Sequence, residues 1–249
     1  MLKSQLIIDK AKYYLKDFFG RENAKEIDAR LKDCEIFMVH PRNYLRHSMA
    51  FNAITDKRCD EKGLPHFDIE QKEVRHDWVK RVSLGEPTLL GICDHPYMIC
   101  KNNNVYTLFP AGIFVHDAKN SGQSKTEYTD GCIMHELIHA ATAGVADNKY
   151  FGGVGEYNKD VNEFLTETIA IYLTQQMHIE DGEVFNEHVP PDKALYDSVM
   201  KMDLIKDALS FLVGNKDVIV PAMFRPYEIE NVKALNEVSK QCLHIDLGV

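Results

Sequence analysis

His135, Glu136 and His139 stand together in the run His135-Glu136-Leu137-Ile138-His139. On a helix, histidines four residues apart share one face, and the glutamate lies beside them. Imidazoles so placed can supply two corners of a tetrahedral metal site, and the glutamate can take a proton from a water held there. Such a site needs a third protein ligand. In Val161-Asn162-Glu163-Phe164-Leu165-Thr166-Glu167 two glutamates recur at i, i+4, and Glu163 follows His139 by 24 positions. That interval suits a helix, a turn and an antiparallel return. Glu163 is then the expected third ligand, with Glu156 as the competing carboxylate. Glu167, one turn on, is placed to accept the other ring N–H of a ligating histidine, a bond that sets tautomer and orientation. Zn2+ is the expected metal, because it takes imidazole and carboxylate donors and leaves the fourth position to water.

The surrounding residues predict the elements that carry these groups. Ile133, Leu137, Ala140 and Ala141 make an apolar stripe at helical spacing, with Thr129 or Asp130 to cap the start and Gly144 to end it. Behind the second motif, Val161, Phe164, Leu165, Thr168 and Tyr172 repeat the pattern. Upstream, residues 4–19 carry helical periodicity through Leu6, Ile7, Ala11, Tyr14, Leu15 and Phe18, and end at Gly20. Residues 34–39 read as a strand. Residues 97–100 and 105–109 flank Lys101-Asn102-Asn103-Asn104, a hairpin signal, and a further strand is expected after Pro110. Residues 117–126 read as a loop, and 191–212 and 227–242 as helices. The expected fold is α+β with a mostly helical C-terminal half. A single catalytic domain over residues 1–249 is expected, in lobes of 1–143 and 144–249 around a cleft.

The two motifs, H-E-x-x-H followed by N-E-x-x-T-E, resemble those of the gluzincin zinc metallopeptidases, whose thermolysin-like members carry N-E-x-x-S-D. The resemblance spans roughly residues 112–173. It implies a zincin-like fold, with His135, His139 and Glu163 as zinc ligands, Glu136 as general base and acid, and Glu167 as the partner of His135. It also implies that 111–116 is a sheet-edge strand able to pair with an extended substrate. Tyr157, six residues before Glu163, resembles the tyrosine of some toxin-like gluzincins, which implies an oxyanion-stabilising hydroxyl; Tyr150 and Tyr227 compete for that role. The implied activity is hydrolysis of peptide bonds by activated water, with a protein or peptide as substrate. The departures narrow it: no G-x-M-E-N pattern is present to anchor a substrate's free amine, which points to an endopeptidase. The transition-state histidine of thermolysin-like enzymes has no counterpart, and Gly152, Gly153 and Gly155 make the inter-helix loop distinctive.

The 249 residues are 45% hydrophobic and carry a formal charge of -9, enough apolar content for a core and the wrong sign for nucleic acid or an anionic membrane. No stretch approaches the roughly 18 apolar residues of a spanning helix. The six cysteines, Cys34, Cys59, Cys93, Cys100, Cys132 and Cys242, form no C-x-x-C pair. Reduced thiols in the cytoplasm are therefore expected, with a secreted or injected effector as the alternative. Cys132 reads as a small buried helix residue, Cys93, Asp94, His95 and Cys100 as loop and core residues, and His116 as a surface residue. His178, His188 and His244 belong to no constellation. Two other classes compete with a peptidase: a metal-dependent hydrolase of a non-peptide substrate, and a regulatory or interaction protein with a zinc site. Oligomeric state is not encoded in any pattern found.

Overall fold

The computed structural model describes the backbone of residues 3–39, 50, 53–54, 56–61, 63, 91–94, 97–101, 104–109, 112–116, 127–146, 149–180 and 205–249. Helix α1 (Lys3–Phe19) buries Ile8, Ala11, Tyr14, Leu15, Phe18 and Phe19, the spacing of one helical face. It ends at Gly20, and Asn23 donates a side-chain hydrogen bond to the Phe19 carbonyl at 2.7 Å. A short turn leads into α2 (Ala24–Arg30).

The strands β1 (Glu35–Val39), β2 (Gly91–Asp94) and β5 (Gly112–His116) form a mixed sheet in the order β1-β5-β2. A separate hairpin joins β3 (Tyr97–Lys101) to β4 (Asn104–Phe109) across the expected turn. In the sheet, β1 runs parallel to β5 from Glu35↔Gly112 to Val39↔His116, while β2 runs antiparallel to it. This corrects the expectation that residues 111–116 form a sheet edge: β5 is the central strand, paired on both sides. The unbroken apolar run Ile113-Phe114-Val115 suits a strand enclosed by neighbours, and Ile113 is fully buried. Among the described residues the edges fall to β1 and β2.

Helix α3 (Glu127–Thr142) lies against β2 and β5 and carries the H-E-x-x-H run. Its stripe is buried as expected, and Met134 and Ile138 join it in the core. It gives way directly to the hairpin β6 (Ala143–Ala146) and β7 (Lys149–Gly152). Gly144 is thus a strand residue, where it was expected to end the helix. It faces Phe151 across the ladder, and a Cβ at Gly144 would lie 2.0 Å from the Phe151 ring.

Helix α4 (Lys159–Glu180) returns along α3. Asn158 caps it, its side-chain oxygen accepting the Val161 N–H at 3.0 Å. Val161, Phe164, Leu165 and Thr168 are buried, with Tyr172 half-buried at the end of the same face. Among the described residues, three shorter helices follow: α5 (Ile205–Gly214), α6 (Lys216–Phe224) and α7 (Ile229–Cys242). The expected helix at 191–212 is seen from Ile205 onward, residues 191–204 lying outside those described, as do the loop at 117–126 and His188. Helix α6 contains Pro221, a residue that costs about 3 kcal/mol inside a helix. Burial of Ile219, Val220, Met223 and Phe224, at about 1.5–3 kcal/mol for a large side chain, outweighs that cost.

One contiguous cluster of buried side chains runs from Ile8 on α1 to Leu247 near the C-terminal end. The architecture is α+β, mostly helical with small sheets. No described helix is long and apolar enough to cross a membrane.

Candidate metal centre

Antiparallel packing of α3 on α4 brings His135, His139 and Glu163 to one point. The two Nε2 atoms lie 3.0 Å apart, and Oε2 of Glu163 lies 3.3 Å from that of His135 and 3.4 Å from that of His139. Donors on a tetrahedral Zn2+ at about 2.0–2.1 Å stand roughly 3.3 Å from one another. The triangle therefore has the dimensions of one face of a zinc tetrahedron, and two imidazoles with a carboxylate are a donor set that Zn2+ accepts. Among the described residues these three form the group able to hold a metal ion.

Glu167 supports the arrangement from behind. Its Oε2 lies 2.6 Å from Nδ1 of His135, and an ionised carboxylate can only accept, so the ring donates its Nδ1–H. The Nε2 lone pair of His135 is then turned toward His139 and Glu163. Electron-rich atoms this close repel unless a proton or a metal cation lies between them.

With a proton rather than a metal between these atoms, the same contacts set the ionisation of each group. Burial works against a charged His135, but hydrogen bonds to Glu163 and Glu167 and the nearby carboxylates outweigh it and hold the ring's pKa well above the ordinary imidazole range. Burial also works against charge on Glu163. The positive field of His139 and hydrogen bonds from both histidines overcome it and leave the Glu163 carboxyl far below the usual range. Glu136 is 7% exposed, and its pKa is raised, first by burial, with Glu163 and Glu167 adding to the effect and the two histidines opposing it. A carboxyl lifted toward neutrality in this way is suited to accept a proton and return it.

The other expected participants are distributed differently. The Tyr157 hydroxyl donates to the Pro226 carbonyl at 3.1 Å, so its proton is directed at the segment between α6 and α7. Tyr227 is half exposed, and its ring meets that of Phe151 at a tilt of 50° with centroids 5.1 Å apart. Glu156 is exposed and stands outside the triangle. Cys132 is half-buried against the core. His95 falls outside the described residues, and the side chains of Cys93, Cys100, Asp94, His116, Tyr150 and His178 are likewise outside them.

Two contributors near the centre went unread in the sequence. Asn162, beside Glu163, accepts the Val154 N–H at 3.0 Å through its side chain. Arg30, 111 positions before its partner, donates to the Ala141 carbonyl at 2.8 Å, in the last turn of α3. Its guanidinium also pairs with Glu26 at 2.6 Å and lies 4.5 Å from the centre of the Phe224 ring. The only local hint for Asn162 was its place in the N-E-x-x-T-E pattern, and Arg30 left none.

No protein-family model matches this chain, and neither a curated protein nor a solved structure is significantly similar to it.

Proposed function

We propose that this chain is a zinc-dependent hydrolase of peptide bonds, an endopeptidase with a zincin-like catalytic domain of the gluzincin type. The observation that carries the reading is the triangle of His135 Nε2, His139 Nε2 and Glu163 Oε2 at 3.0, 3.3 and 3.4 Å, with the buried Glu136 on the same helix as both histidines. Zn2+ held there supplies Lewis acidity and lowers the pKa of a water to about 7. Glu136 takes the proton of the attacking water and later delivers it to the leaving amine. Glu167 keeps His135 in the tautomer that presents Nε2, and Glu163 offsets positive charge. Water is the nucleophile, so no acyl-enzyme forms.

A peptide substrate is supported by β2, which packs against α3 and has only β5 as a partner among the described strands. A strand flanked on one side can accept an extended peptide on the other. The substrate-pairing role expected of residues 111–116 is proposed instead for 91–94.

The test pairs Zn2+ stoichiometry with cleavage of proteome-derived peptides, comparing the native chain with Glu136→Gln. The variant is expected to keep its zinc and lose about 10²–10⁴-fold in turnover. Equal cleavage by both proteins would sink the reading. Zinc binding without cleavage of any peptide would shift it to a non-peptide hydrolase or to a binding protein.

A further inference from the structure

Asn162 is 5% exposed, and its side chain is turned toward the loop that joins β7 to α4. Its Oδ1 accepts the Val154 N–H at 3.0 Å. The preceding Gly153 has φ +55°, and a Cβ there would meet Asn162 Oδ1 at 2.3 Å and Thr142 Oγ1 at 3.6 Å. Thr142 is the last residue of α3, three beyond His139, and Asn162 immediately precedes Glu163. Gly153 therefore sits in the seam between the ends of the two ligand-bearing helices. Only a residue without a side chain fits there in the left-handed conformation that presents Val154 N–H to Asn162. Gly155 closes the turn by donating to the Gly152 carbonyl at 3.1 Å.

We propose that Asn162 is a positioning residue for the metal: by latching the 152–155 loop to the first turn of α4, it sets where the Glu163 carboxylate stands relative to the two Nε2 atoms. The inference rests on the metal-site reading above. Formation of α4 does not require this latch, because Asn158 caps the helix through Val161 and the face from Val161 to Thr168 is buried. What the latch adds is registry. A helix residue advances 1.5 Å and turns about 100°, so a small slip of the first turn moves Glu163 out of the triangle. Groups that orient metal ligands are worth about 10–100-fold in affinity when removed.

The full-length chain is tested as wild type, Asn162→Ala, Gly153→Ala and the double variant. Zn2+ affinity is read by chelator competition, and the visible absorption of the Co2+-loaded protein reports coordination geometry. Asn162→Ala is expected to weaken Zn2+ binding about 10–100-fold and to alter the Co2+ bands. Gly153→Ala, which drives a methyl into Asn162, is expected to do the same, and the double variant to bind no more weakly than the worse single. Gly153→Ala leaves every residue of α4 in place and carries the comparison alone should Asn162→Ala not fold. Zn2+ affinity and Co2+ bands unchanged in the folded variants overturn the latch and leave the metal site standing, as do losses that simply add in the double variant. A wild-type chain that takes up no Zn2+ overturns the site reading and the latch with it.

Discussion

Tyr157 shows how one hydroxyl can be claimed by two roles. As an oxyanion donor it would be worth about 10²–10³-fold in turnover. As a tether to Pro226, at 3.1 Å, it is worth about 1 kcal/mol of stability. The observed bond favours the tether, so Tyr157→Phe is expected to lower stability by about 1 kcal/mol in urea titrations and to leave peptide turnover within a few-fold. A hundredfold loss in turnover would restore the catalytic role. Among the site residues, His135, His139, Glu163 and Glu167 were legible in the sequence because the H-E-x-x-H and N-E-x-x-T-E spacings place each pair on one helix face. The Pro226 partner of Tyr157 lies 69 positions away and has no such local mark.

At the scale of elements, Arg30 joins α2 to the end of α3. The last carbonyls of a helix have no partner within it, and the buried guanidinium satisfies that of Ala141 while balancing Glu26 and lying over Phe224. Arg225 adds to the junction with a hydrogen bond to Asn23 at 2.9 Å and an ion pair to Glu26 at 3.5 Å. Arg30→Met keeps most of the side-chain volume but withdraws the donor from Ala141. A loss of about 2–3 kcal/mol is expected in equilibrium unfolding; an unchanged midpoint would mean that the junction is held by packing alone. The helices of residues 4–19 and of the two ligand motifs were readable because each buries a periodic stripe. Strand β2 was not, since Gly-Ile-Cys-Asp shows no alternation of its own, and the order β1-β5-β2 depends on pairings between distant segments. Helix α6 was hidden by Pro221, where burial overrides propensity.

Across the whole molecule, the buried cluster links both ends of the chain, and Cys34 lies within it. Burial pushes its thiol up to about 12, from 9.0 when solvated, with Lys12 opposing and Glu35 adding to the shift. Well below pH 9 the thiol is neutral in both folded and unfolded chains and has no effect. Above it, the unfolded chain loses the proton first, so stability falls as pH rises from about 9 toward 12. The slope from this one group approaches about 1.4 kcal/mol per pH unit. Cys34→Ala is expected to lie below wild type at pH 8 through lost packing, yet to fall less steeply between pH 9 and 10.5. Parallel urea-midpoint profiles for the two proteins would contradict this.

The Arg30 contact also bears on the order in which the protein is assembled. A ribosome releases α1 and α2 well before residue 141 exists, and Phe224 comes later still. Tyr14 must likewise await Glu180, and Asn23 must await Arg225, 166 and 202 positions onward. The earliest helices therefore leave the ribosome with apolar faces uncovered. The ends of α1, α2 and α3 thus gain these contacts only when nearly all of residues 1–249 have been made.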